Sequence, residues 1–288
     1  MRLVTLFSML FAAPLWAQEY SAKQCPSCAA WNQPHAPVRL FANSYYVGTN
    51  GLSAILITSP AGHVLIDGGL PESAPLILEN IAALGFRVQD VKLILNSHDH
   101  YDHAGGIAEL ARATGAMVAA STASATTLRA GISGPNDPQF GVALPFPSVS
   151  RVREIADGDT LRVGALAVVA HFTPGHTAGG TTWSWRSCEA ARCLDMVYAD
   201  SQSAISDDTF RYSGDPRYPG ATADFTRGHA VIAQLRCDVL ITPHPGGSAL
   251  WERLAATGNA PGLVDADACK RYAASARTAL AKRLATER

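Results

Sequence analysis

Charge is scarce in this sequence. Asp, Glu, Lys and Arg make up 16% of 288 residues, and 23 basic against 24 acidic side chains leave a formal net charge of -1. No basic excess exists to neutralise phosphates, which argues against a nucleic-acid partner. No block of like charge marks a solvated tail. After the N-terminus no apolar stretch reaches the ~18 uninterrupted residues that span a bilayer, so no membrane partner is expected. Repeats and low-complexity segments are absent too. No linker is rich enough to divide the chain, and residues 18–288 are expected to form one domain.

The first seventeen residues read as an export signal. Arg2 supplies the positive start, Leu3 to Phe11 the apolar centre, and Pro14-Leu15-Trp16-Ala17 a cleavage site. The apolar run is too short for a spanning anchor. The mature protein is therefore expected in the periplasm or outside the cell.

The chain has six cysteines, which suit disulfides in an exported protein. Cys188 and Cys193 should close a small polar loop. Cys237 and Cys269 could tie a late strand to the C-terminal helix. Cys25 and Cys28 then pair by elimination, although Cys-x-x-Cys is also a redox or zinc spacing.

Strands are expected at 45–48, 53–58, 63–67, 91–95, 117–120, 161–163, 166–171, 181–185, 196–198 and 239–242. Helices are expected at 75–84, 106–114, 222–235 and 268–286, with Gly85 and Gly115 closing the first two. Trp183 and Trp185 alternate with polar neighbours and read as core. Residues 131–149 hold several Gly and Pro and form an unusually long connection, of the kind that often carries function. It is either a lid, with Gln139 and Phe140 as its candidates for facing a substrate, or a plain surface loop. The pattern fits an α/β fold, two β-sheets packed face to face with helices outside.

The densest chemistry lies in His98-Asp99-His100-Tyr101-Asp102-His103, which puts three imidazoles and two carboxylates into six residues. His98 and His100 are two apart, so in an extended segment both point the same way. Asp102 and His103 enter the next turn and can serve an adjacent position. One short segment can thus serve two neighbouring metals, and its nitrogen and carboxylate donors suit zinc. Further donors are needed. His176, in Thr173-Pro174-Gly175-His176-Thr177, and His244, in Thr242-Pro243-His244-Pro245, follow strands in rigid turns. His35, His63, His171 and His229 lack such a setting, and His171 is the one among them expected to support a ligand.

Five motifs in this order resemble the metallo-β-lactamase superfamily. They are Asp67 in Leu65-Ile66-Asp67-Gly68-Gly69, the His-x-His-x-Asp-His run, the Gly-His-Thr segment, Tyr198-Ala199-Asp200 at a strand end, and the late His244. Asp200-Ser201-Gln202-Ser203-Ala204, Asp215-Pro216-Arg217-Tyr218-Pro219 and the segment from Cys237 to Pro245 are similar to its subclass B3 enzymes. The resemblance implies an αββα sandwich and two Zn2+ ions. It implies His98, His100 and His176 on one ion, and Asp102, His103 and His244 on the other. It also implies hydrolysis of the β-lactam amide by a zinc-bound hydroxide, with Asp102 orienting the water and assisting proton transfer. Ser201 would contact that water or the substrate, and Ser203 the substrate carboxylate. Penicillins, cephalosporins and carbapenems would be the small-molecule partners of a monomeric enzyme conferring resistance. Some relatives carry a cysteine near position 50 that pairs with an N-terminal one; this chain has Asn50 there.

Asp67 is expected to be structural. Asp200 bridges two metals in the phosphodiesterase and thioesterase branches, and is expected not to bridge here. The alternative activity is a dizinc hydrolase of the same fold acting on a lactone, thioester or phosphodiester. A scaffold without catalysis is disfavoured by retention of the whole ligand set.

Overall fold

Ile55, Ile57, Val64, Ile66, Leu93 and Leu95 belong to one buried cluster, while Leu56, Leu65 and Ile94 between them belong to another. Strict alternation sends successive side chains to opposite faces, so these strands must be covered on both sides. The computed structural model describes residues 25–256 and 260–287. The expected export segment lies outside the described residues.

The first sheet contains β1 (Val38–Phe41), β2 (Ser44–Tyr46), β3 (Ile55–Ile57), β4 (His63–Ile66), β5 (Val91–Leu95), β6 (Met117–Ser121) and β7 (Val152–Ile155), side by side in chain order. Pairing is antiparallel up to β4 and parallel beyond it. The second sheet holds β8 (Thr160–Val163), β9 (Leu166–Phe172), β10 (Thr181–Glu189), β11 (Arg192–Tyr198) and β12 (Val239–Ile241), in the spatial order β12-β11-β10-β9-β8. Only its β11–β12 pair is parallel.

The helices are α1 (Cys28–Trp31), α2 (Ser73–Ala83), α3 (Tyr101–Ala104), α4 (Ile107–Thr114), α5 (Thr122–Ala130), α6 (Ala221–Gln234), α7 (Leu250–Ala255) and α8 (Ala268–Thr286). Ala74, Ile77, Ile107, Leu110, Ala125 and Leu128 cover the outer face of the first sheet. Ile232, Cys269 and Ala273 cover Val197, Ala199 and Leu240 on the second. The inner faces meet through Trp183, Trp185, Met196 and Tyr198. This is the expected αββα sandwich. No helix among the described residues is long and apolar enough to cross a membrane.

Both tryptophans are core, and each satisfies its indole. Trp183 Nε1 donates to the Asn96 carbonyl at 3.1 Å and Trp185 Nε1 to Ser44 Oγ at 2.9 Å. The pairings Cys25–Cys28, Cys188–Cys193 and Cys237–Cys269 are all formed. Strands β1 and β7, helix α5 and the short helices α1, α3 and α7 are not among the expected elements. Arg39, Arg153 and Glu154 interrupt the apolar pattern of the two edge strands, and two of the three α5 residues after Ser121 are weak helix formers (Thr122, Ser124). The Ser121 side chain starts α5 by accepting the Ser124 N–H.

Candidate metal centre

The expected ligand residues converge at one end of the sandwich, where β4, β5, β9, β11 and β12 stop. Asp67 follows β4, and residues 96–103 follow β5. His176 lies between β9 and β10, Asp200 follows β11, and His244 follows β12. The edge is stitched across the sheets, because Thr181 N–H donates to the Ser97 carbonyl at 2.7 Å. Two glycines let the His176 turn approach. Gly175 has φ 138°, and a Cβ there would sit 2.6 Å from the Phe225 ring. A Cβ on Gly180 would come within 2.4 Å of the Asp200 carboxylate.

His98, His100 and His176 are buried, and their ligand-capable atoms lie within 4.8 Å of one another. His98, Asp102 and His103 meet the same limit, so the two clusters are contiguous. A tighter triangle involves His244. Asp102 Oδ2 is 3.2 Å from His103 Nε2 and 3.1 Å from His244 Nε2, and the two nitrogens are 3.2 Å apart. His100 Nδ1 likewise lies 3.2 Å from His176 Nε2. Ligands at ~2.05 Å from a tetrahedral zinc are about 3.3 Å apart, so these separations are those of a coordination shell.

The remaining ring nitrogens are held from outside. His98 Nδ1 donates to Asp200 Oδ1 at 2.8 Å, and His176 Nδ1 to the Ser203 carbonyl at 2.8 Å. His244 Nδ1 donates to the Gly51 carbonyl at 3.1 Å. His100 Nε2 lies 3.0 and 3.2 Å from the two oxygens of Asp137. Such outer contacts fix the tautomer and leave the inward nitrogen a free lone pair, which a metal ligand needs. His103 Nδ1 is the exception, buried with no hydrogen-bond partner.

The rings differ in charge: His98 and His176 are shifted down, whereas His100 and His244 are shifted up by the carboxylates beside them. Burial, reinforced by neighbouring imidazoles, pushes His98 well below its ordinary range. Burial and His100 bring His176 down to about 3, so both rings are neutral. Burial also disfavours the charged form of His100, but the Asp137 carboxylate outweighs it and raises this ring to about 9. Burial alone would raise the Asp102 carboxyl; His103 and His244 hold it well below the usual carboxylate range instead. The neutral rings of His98 and His176 and the ionised Asp102 carboxylate, at coordination distances, fit a divalent cation such as zinc, which would have to displace a proton from His100.

Asp67 has the structural part expected of it. It accepts from Ser97 N–H at 2.7 Å, Ser97 Oγ at 2.6 Å and Tyr198 OH at 2.8 Å. Asp99 accepts from Ser124 Oγ at 2.8 Å and packs behind the loop. Ser201 and Ser203 are half-buried beside the centre and line a cavity of ≈590 Å³ that also touches His244 and Tyr272. The Gln139 amide nitrogen comes within 3.4 Å of His100 Nδ1, whereas Phe140 is exposed.

One expectation is corrected. His171 supports no ligand: it sits on β9 and pairs through Nε2 with Ser184 Oγ at 2.8 Å. The nearness in sequence to His176 misleads because the turn after β9 reverses the chain. His35 stacks on Trp251, His63 meets the Phe86 ring edge-on, and His229 lies tilted against Phe225, away from the cluster. Asp137 and Gly51 were missed. A lone Asp inside a Gly/Pro-rich loop and a backbone carbonyl carry no spacing signal; only the length of the 131–149 connection hinted at a role.

Comparison with known proteins agrees with this geometry. A family model described as "Metallo-beta-lactamase superfamily" matches residues 47–255. The solved structure of Rm3 metallo-beta-lactamase is 54% identical with a TM-score of 0.90, covering 91% of this chain and 98% of that one. MEM-A1, a subclass B3 metallo-beta-lactamase from a soil metagenome library, is 50% identical with a TM-score of 0.88, covering 89% of this chain and 98% of that one. A curated relative, the hydroxyacylglutathione hydrolase of Rhodopseudomonas palustris (strain BisB18), is 32% identical over 140 residues, 49% of this chain and 46% of its own length. The chain spans about half the length of the curated relatives it matches first. In fold, motif order and overall similarity, the chain belongs to the metallo-beta-lactamase superfamily and resembles its subclass B3 enzymes.

Proposed function

We propose that this protein is a periplasmic or secreted, monomeric metallo-β-lactamase that opens penicillins, cephalosporins and carbapenems. Two zinc ions are its cofactors. His98 Nε2, His100 Nδ1 and His176 Nε2 would hold the first, and Asp102 Oδ2, His103 Nε2 and His244 Nε2 would hold the second. Residues 1–17 act as the export signal and residues 18–288 as one catalytic domain. The observation that carries this reading is the pair of contiguous donor clusters with spacings of 3.1–3.2 Å, backed from outside by Asp200, Ser203 and Gly51.

When bound, zinc supplies Lewis-acid polarisation of a carbonyl and a water whose pKa falls to about 7. The protein's residues do the rest. Asp102 engages His103 and His244 through Oδ2, which leaves Oδ1 to orient the attacking water and pass its proton toward the lactam nitrogen as the C–N bond breaks. The Ser201 and Ser203 hydroxyls stand at the cavity beside His244 and donate to the substrate carboxylate. His176 Nδ1 is already committed to the Ser203 carbonyl, so Ser203 has no free base to activate it as a nucleophile, and no acyl-enzyme forms. Asp200 turns Oδ1 to His98 Nδ1 and so orients a ligand, which supports the non-bridging reading.

The second reading is hydrolysis of a hydroxyacylglutathione-type thioester, favoured by the curated relatives. Zinc-loaded protein should cleave nitrocefin and a carbapenem, lose this activity to a chelator, and contain two zinc ions per chain. Cleavage of S-lactoylglutathione with both lactams left intact would replace the first reading by the second.

A further inference from the structure

The connection 131–151 between α5 and β7 is anchored at both ends. Phe146 N–H donates to the Gly131 carbonyl and Val149 N–H to the Leu128 carbonyl, at 2.8 and 2.7 Å. Leu144, Phe146 and Val149 are buried in the helix-covered core. The tip, 134–143, is held differently. Its backbone turns on Asp137, which accepts the Gln139 N–H at 2.7 Å and whose own N–H donates to Gly134. From the tip, Asp137 reaches His100, and the Pro138 carbonyl accepts the Asp207 N–H at 2.8 Å.

We propose that Asp137 is a positioning residue that couples the tip of this connection to the metal centre, so that metal affinity and loop order depend on each other. The inference rests on the reading that His100 binds metal through Nδ1. His100 is 4% and Asp137 6% exposed, so water cannot replace either partner. With Nδ1 turned inward, the ring proton is on Nε2 and points at the carboxylate, whose two oxygens lie 3.0 and 3.2 Å away. A metal on Nδ1 locks the ring plane; the ring plane fixes the carboxylate; the carboxylate fixes Gln139 N–H and thereby the tip. Thermodynamic linkage makes the coupling reciprocal. Were Asp137 merely the cap of its own turn, its loss would loosen the tip and leave metal affinity unchanged.

Two measurements separate these cases. Zinc affinity is read by competition with a chromophoric chelator for wild type, Asp137→Ala and Asp137→Asn. Loss of such an outer partner typically costs about 10–100-fold in metal affinity, which is the drop expected for Asp137→Ala. Asp137→Asn keeps an acceptor for Nε2–H and should recover part of it. Second, chymotrypsin cleavage after the exposed Phe140 is followed on unmutated protein. Cleavage should be slower with zinc than without, and this protection should shrink in zinc-saturated Asp137→Asn. Equal zinc affinity in wild type and both variants, or cleavage of the wild type indifferent to zinc, overturns the coupling alone. Wild-type protein that takes up no zinc overturns the metal-site reading and the coupling with it.

Discussion

Tyr198 reaches from one sheet to Asp67 on the other, its hydroxyl donating to a carboxylate oxygen at 2.8 Å. Asp67 sits at φ 62°, a left-handed conformation that Asp tolerates better than most residues, and is completely buried. The same carboxylate takes the Ser97 N–H and hydroxyl, so one residue holds the loop that starts the histidine run. Replacing Asp67 by Ala strands these donors in the interior. It should destabilise the protein by about 3 kcal/mol, and Tyr198→Phe by about 1 kcal/mol. Urea unfolding checks both, and equal losses for the two variants would contradict the assignment of the larger role to Asp67.

On the proposed reading, Ser203 has two roles, one through its carbonyl and one through its hydroxyl. Its carbonyl accepts from His176 Nδ1 at 2.8 Å, its hydroxyl lies 3.3 Å from the same nitrogen, and the residue lines the cavity beside His244. Ser203→Ala removes only the hydroxyl, so zinc content should stay at the wild-type value. A lost hydrogen bond to a charged group is worth about 1.5–3 kcal/mol, which predicts a kcat/KM roughly 10–100-fold lower, carried by KM. Steady-state kinetics on a substrate with the free carboxylate and on its ester distinguish this from a general loss, because the ester should be indifferent to the variant.

The Cys237–Cys269 disulfide joins the connection between α6 and β12 to the start of α8 across a separation of 32 residues. Closing a loop of that length restrains the unfolded chain by about 4 kcal/mol in the chain-entropy account. The Cys237→Ser, Cys269→Ser double variant should lose about 2–4 kcal/mol in urea unfolding. The much shorter Cys188–Cys193 loop should give a smaller loss.

Arg217 ties together the segment beside Ser203. It meets Asp207 Oδ2 and Asp215 Oδ2, each at 2.9 Å. Arg217 holds the Asp215 carboxyl well below the usual carboxylate range. Burial alone would raise Asp207, but hydrogen bonds from Thr209 and Arg217 outweigh it and bring it down to about 2. Depressed carboxylates stabilise the fold above their unfolded pKa of ~3.9, and that stability is lost as pH falls through the folded value. Arg217→Ala should therefore be less stable than wild type at pH 7. The gap should begin to narrow below about pH 4 and keep narrowing through about pH 2, without vanishing there. A gap independent of pH in denaturant titrations would show that the pairs contribute nothing.

Much of this molecule is written in local pattern. The alternation in 53–58, 63–67 and 91–95 required two-sided burial, and hence the layered sandwich. The spacing of His98, His100, Asp102 and His103 determined that one short segment offers donors in two directions, because covalent geometry alone separates an extended pair from a helical turn. The Gly and Pro flanks of His176 and His244 marked rigid turns at strand ends. Tertiary structure decided which outside groups meet these donors. Asp137 reaches His100 across 37 positions, Asp200 reaches His98 across 102, and the Gly51 carbonyl reaches His244 across 193. It also turned His171 away, five residues from a ligand candidate, by placing it on β9 opposite β10. Such partners are chosen by how sheets and loops pack over long sequence distances, and neither periodicity nor spacing records that choice.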